Sequence, residues 1–135
     1  MREVSVSGFV RETPGELRRH LDPATVVEAE GSFAPSSVDE REEGTVVVAS
    51  GPGLEFPLLF EDRGDEIVYT QANEKGPFAG METQIEFERE NEGTRVTIHS
   101  AVELAAPIPF GDRIAAWKRR RELSRMLETV ARDLE

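Results

Sequence analysis

The chain has 135 residues, 38% of them hydrophobic and 32% charged, the size and balance of one domain with a sizeable core. Lys and Arg number 16 against 27 Asp and Glu, a net charge of −11, which repels phosphate backbones and argues against nucleic-acid partners. Cysteine is absent and histidines number 2, which removes disulfides, thiol nucleophiles and cysteine-based metal sites, and points to no bound metal or cofactor.

Val4, Val6, Gly8 and Val10 alternate with Ser5, Ser7 and Phe9, the period of a strand. The strand stops at Thr13-Pro14-Gly15-Glu16, where Thr13 can cap, Pro14 suits the first helical position and Glu16 completes a capping box. A short helix carrying Leu17 and Leu21 follows. Asp22-Pro23 repeats the signal and opens a second short helix around Ala24 to Val27. A strand near Ser36 to Glu42 is blurred by Pro35 and the charges from Asp39 to Glu43.

The middle of the chain reads as strands. Thr45 to Ser50 turns at Gly51-Pro52-Gly53 into Leu54 to Glu61, and Asp62-Arg63-Gly64-Asp65 leads to Glu66 to Ala72. After a loop holding Gly76-Pro77-Phe78, Met81 to Glu90 turns at Asn91-Glu92-Gly93 into Thr94 to Leu104. Three hairpins with glycine-containing turns make an antiparallel meander. Pairing Phe87 with Val96 aligns Ile85 with Ile98, Thr83 with Ser100 and Met81 with Val102, and leaves Glu82, Gln84, Glu86 and Glu88 on the other face. One face is apolar and one wet, as for a sheet covered on one side. By the same logic Phe56, Leu58 and Phe60 face Gln71, Tyr69 and Ile67, with Val46, Val48 and Ser50 extending that face.

Beyond Pro107, Pro109 and Gly111, no Gly or Pro occurs from Asp112 to Glu135. Asp112 is the expected cap of a long helix. Ile114 and Trp117 form one apolar patch, and Leu123, Met126, Leu127, Val130 and Leu134 a second at helical spacing. This helix is expected to lie across the apolar face of the sheet.

The strand Val4 to Val10, the stretches Thr13-Pro14-Gly15-Glu16-Leu17 and Leu21-Asp22-Pro23, then Glu30-Gly31-Ser32-Phe33, Gly93-Thr94-Arg95-Val96 and the helix after Pro109 carry a resemblance. Together they resemble the SRPBCC superfamily of START-like, or helix-grip, proteins over essentially the whole chain. The resemblance implies an α+β fold in residues 1–135 as a single domain. Its parts are a curved antiparallel sheet of six or seven strands, two short helices and a long C-terminal helix. It further implies a cavity between sheet and terminal helix that takes a small hydrophobic molecule. The candidate lining is Phe56, Leu58, Phe60, Met81, Ile85, Ile98, Ile114, Trp117 and Met126. Tyr69, Gln71, Thr83 and Ser100 are its orienting polar groups.

The remaining candidates read as surface. His99 falls on the outer face beside Gln84, a cross-strand pair, and His20 reads as a half-exposed packing residue. Neither has an adjacent nucleophile. Asp39-Glu40-Arg41-Glu42-Glu43 lacks calcium-loop spacing and reads as a solvated hairpin. Arg119-Arg120-Arg121 reads as an exposed helix face pairing with Glu122 and Glu128. With Tyr69 as the one titratable group expected inside, no catalytic residue is assigned. Binding or transport of a lipid, isoprenoid, quinone or polyketide-like molecule is favoured over a cyclase or dehydratase, and over a protein-interaction module.

No run approaches the ~20 apolar residues that span a bilayer, and Met1-Arg2-Glu3-Val4 does not open a signal peptide, so a cytoplasmic location is expected. All basic residues but Lys75 and Lys118 are arginines. An acidic, lysine-poor chain fits a halophilic, salt-rich cytoplasm, where screening relieves self-repulsion.

Overall fold

The computed structural model describes residues 2–71, 78–104 and 111–134. Gly76-Pro77, Pro107 and Pro109, and the side chain of the expected cap Asp112, lie outside them. Strand β1 (Arg2–Val10) leads into helices α1 (Pro14–His20) and α2 (Pro23–Glu30). Strands β2 (Ala34–Arg41), β3 (Gly44–Gly51), β4 (Leu54–Asp62), β5 (Glu66–Gln71), β6 (Phe78–Glu90) and β7 (Gly93–Leu104) follow, then helix α3 (Gly111–Asp133). The strands form one antiparallel sheet in the order β1-β7-β6-β5-β4-β3-β2.

Both short helices start where local chemistry dictates. Thr13 Oγ1 accepts from the Glu16 N–H at 3.2 Å, and Asp22 Oδ1 from the Thr25 N–H at 2.8 Å, each satisfying a donor the first turn leaves orphaned. The expected capping box is half formed: the Thr13 N–H donates to Glu12 Oε1, and the Glu16 carboxylate pairs with Arg19. Helix α2 outruns its expected end at Val27 and stops at Gly31, whose φ of 83° is the left-handed conformation glycine adopts without cost.

The β6–β7 register is the expected one, with Phe87 opposite Val96, Ile85 opposite Ile98, Thr83 opposite Ser100 and Met81 opposite Val102. The β4–β5 pairing differs by two residues: Leu58 faces Gln71 and Phe60 faces Tyr69. The cause is a tighter turn, in which the Arg63 N–H bonds the Glu66 carbonyl across a loop of Gly64 and Asp65 alone, with Gly64 at φ 85°. A slip of two keeps every side chain on its face, so the apolar surface survives. In β3 the inward residues are Val47 and Ala49, opposite Leu58 and Phe56, rather than Val46, Val48 and Ser50. Here the loop is Pro52-Gly53, which sets Gly51 opposite Leu54 and shifts the strand by one.

Pro35 is tolerated because β2 is an edge strand, where the ladder shifts between Pro35 and Ser37. Gly44 is required by the β2–β3 turn. Its φ is 148°, and a Cβ there would lie 2.2 Å from the Phe60 carbonyl oxygen. Gly44→Ala is therefore expected to cost about 1–3 kcal/mol, read from the midpoint of urea unfolding; an unchanged midpoint would contradict this turn geometry.

Helix α3 packs against β1, β7 and α2. The core beneath it contains Val4, Val10, Leu17, Val26, Phe56, Ile85, Val96, Ile98, Val102, Leu123, Met126 and Val130. Among the described residues no helix is long and apolar enough to cross a membrane.

Candidate functional site

The concave side of the sheet gathers most of the expected residues. Tyr69, Thr83, Ser100, Phe56, Leu58, Phe60, Met81, Ile85 and Ile98 are all buried and lie on one side, and Met126 meets them from α3. Gln71 is half-buried, and its side-chain amide brackets Phe78: Nε2 donates to the Phe78 carbonyl at 2.5 Å and Oε1 accepts from its N–H at 3.3 Å. That clamp extends β6 back to Phe78, three residues before its expected start.

Ile114 and Trp117 do not join this group. They are 55% and 60% exposed, and Trp117 lies under the Arg121 guanidinium at 5.0 Å. The inward face of α3 instead runs through Ala115, Arg119, Glu122, Leu123, Met126 and Val130. Extending the stripe of Leu123, Met126 and Val130 backwards from Leu123 in steps of four lands on Arg119 and then Ala115, not on Ile114 or Trp117. That spacing was the signal that could have found Arg119.

Arg119, expected on an exposed face, is the largest buried side chain, 2% exposed. Its Nε donates to Ser100 Oγ at 3.1 Å, and Nη2 donates to the Tyr69 hydroxyl at 2.8 Å and Thr83 Oγ1 at 2.9 Å. Nη1 faces two carboxylates, Glu30 Oε2 at 3.0 Å and Glu122 Oε1 at 3.4 Å. A guanidinium has five N–H donors, and here every one has an acceptor. The Tyr69 hydroxyl donates in turn to Glu30 Oε1, and the Thr83 and Ser100 oxygens stand 2.8 Å apart.

The expectation that Tyr69 is the one titratable group inside is corrected by Glu30, Arg119 and Glu122. Glu30 closes α2 one turn after Val26 and Val27, so it shares their inward face. Gly31 leaves room there for Arg125, whose Nη1 donates to the Glu30 carbonyl at 2.8 Å. Burial pushes the Tyr69 hydroxyl well above its ordinary range, with Glu30 adding to the rise and Arg119 opposing it, so the group stays protonated at neutral pH. Burial works against the Arg119 charge, but Glu30, Tyr69 and Glu122 outweigh it and hold the guanidinium above the usual arginine range.

This cluster borders a void walled by Val27, Phe33, Ala49, Phe56, Leu58, Phe78 and Met81, with Glu30, Arg119 and Glu122 as its polar side. Phe33 meets Phe56 edge to face at 4.9 Å, and Phe60 stacks on Tyr69 at 4.6 Å. The free volume is about 20 Å³, room for one water molecule. The interior is closely packed around a charged centre.

The opposite face of the sheet offers a wide groove lined by Glu3, Ser5, Glu82, Gln84, Glu86 and His99. Ser5 Oγ lies 2.6 Å from His99 Nδ1, and His99 Nε2 lies 3.6 Å from Glu86 Oε2. Ser5, His99 and Gln84 stand opposite one another across β1, β7 and β6. His20 is half-buried, its Nε2 3.8 Å from Asp133, and Asp39 and Arg41 pair with each other on the exposed β2 hairpin. Among the described residues no group of three or more metal-ligating side chains comes together.

No family model and no curated protein matches this chain in sequence. Its structure does resemble solved ones. The protein TTHA0849 of Thermus thermophilus superposes with a TM-score of 0.77 at 20% identity, covering 98% of this chain and 97% of that one. A START superfamily protein from Mycobacterium smegmatis gives 0.74 at 12% identity, covering 98% and 99%. The fold is the START-like helix-grip fold. A STAR-related lipid transfer protein from Xanthomonas axonopodis shares it, with a TM-score of 0.67 at 12% identity and coverage of 96% and 86%. In this helix-grip chain the gripping helix carries the guanidinium, and the sheet carries the hydroxyls that receive it.

Proposed function

We propose that the protein binds a small, largely apolar molecule between the concave sheet and α3, as a carrier or binding protein in the cytoplasm. The observation that carries this reading is the fully buried Arg119 cluster beside an aromatic-walled void. A buried charged group costs several kcal/mol of desolvation that an apolar core would avoid. Such clusters in clefts mark functional sites more often than chance. Phe33, Phe56, Leu58, Phe78 and Met81 supply the apolar wall, while Tyr69, Thr83 and Ser100 hold Arg119 in place. Because the void admits one water, loading requires these side chains to part, and the ligand takes the volume they release. The solved structures named START superfamily and STAR-related lipid transfer support the same reading.

Native mass spectrometry of protein purified from its own host tests it directly. A co-purifying apolar molecule lost on denaturation is the expected result, and a mass equal to that of the bare chain would speak against it. Tyr69→Phe and Thr83→Val are each expected to weaken binding of that molecule several-fold. Each leaves Arg119 short of an acceptor, at about 1–3 kcal/mol per orphaned group. Unchanged affinity in both variants would remove these residues from the site.

A further inference from the structure

The charge balance of the buried cluster selects among apolar ligands. All five Arg119 donors are occupied by Ser100, Tyr69, Thr83, Glu30 and Glu122, so the single buried cation has no N–H left for an incoming carboxylate. Two carboxylates face one guanidinium. The cluster therefore holds no cation in excess of its carboxylates. Among the described residues, Glu122 makes one hydrogen bond, to Arg119, at the long distance of 3.4 Å. Its side chain is 6% exposed and borders the void. A carboxylate offers about four lone-pair positions, so Glu122 retains acceptor capacity that the fold does not use.

Resting on the binding function proposed above, we infer that the ligand presents a hydrogen-bond donor, a hydroxyl or an amine, to Glu122, and that molecules ending in a carboxylate are rejected. The donor takes the place of the one water the void admits. The ligand's apolar body lies against Phe33, Phe56 and Phe78. A carboxylate there would meet Glu122 and Glu30 with no cation to receive it, and like charges in a low-dielectric site repel strongly.

The test compares two probes that share an aromatic body, 2-naphthol and 2-naphthoate, titrated calorimetrically at neutral pH into the full chain stripped of bound molecules. The expected result is binding of 2-naphthol at least about tenfold tighter than 2-naphthoate. Glu122→Gln keeps the shape and removes the charge, and is expected to shrink that ratio below about threefold, chiefly by improving 2-naphthoate. Equal or tighter binding of 2-naphthoate to the unaltered chain would overturn the inference while leaving the binding function standing. An unchanged ratio in a folded Glu122→Gln variant would also overturn it. Binding of neither probe would overturn the inference and count against the proposed function together. The unaltered chain alone decides the first point, so a poorly folding variant does not rescue it.

Discussion

Replacing Arg119 by methionine is expected to destabilise the protein by about 3–5 kcal/mol, the range found when one partner of a buried ion pair is removed. For a chain of this length that corresponds to a fall of roughly 10–20 °C in melting temperature. Methionine fills a similar space, so the loss comes from what is left behind rather than from a hole. Glu30 and Glu122 would face each other in the interior without their shared cation, and the acceptors Tyr69, Thr83 and Ser100 would lose their donor. Removing the carboxylates as well, in Arg119→Met with Glu30→Gln and Glu122→Leu, is expected to recover most of the loss, because replacing a whole buried ion cluster by packed neutral groups is often neutral or favourable. Thermal unfolding of the single and triple variants gives both numbers. A single variant that melts within about 2 °C of the parent, under 1 kcal/mol for a chain of this size, would show that Arg119 is not held as described.

The second large effect tests the phase of α3. Leu123→Ala removes a fully buried side chain where α3 meets the sheet and is expected to cost about 2–5 kcal/mol, from lost burial and the cavity left behind. Trp117→Ala, six residues earlier on the same helix, is expected to cost less than about 1 kcal/mol, chiefly the exposed contact with Arg121. Denaturant titration of the two variants in parallel separates them. Comparable losses would mean that Trp117 is seated on the sheet and that the helix is rotated from the orientation found.

The contrast between these residues shows where sequence reading succeeds. The β6–β7 pairing was legible because alternating apolar and acidic residues on both strands satisfy one register, and a slip of one would bury Glu82, Glu86 and Glu88. The β4–β5 register was legible only to within two residues, since both alignments keep the apolar face inward. The choice lay in how tightly Gly64 and Asp65 turn. On α3, Leu123, Met126 and Val130 marked the buried stripe, but the two large apolar residues before them drew the helix one step out of phase. Arginine carries a strong prior for the surface. That prior failed at Arg119 because five acceptors, contributed by α2, β5, β6, β7 and α3 itself, converge on it only after folding.

Element order, an antiparallel sheet of six or seven strands, the two capped helices and the wet outer face of β6 and β7 were determined by the sequence alone, since each follows from periodicity and turn chemistry acting within a few residues. The charged centre was decided by the tertiary structure. Glu30, Tyr69, Thr83, Ser100 and Arg119 lie up to 89 positions apart, and no local pattern records that they meet. A buried guanidinium is tolerable only where the whole fold delivers its partners at once.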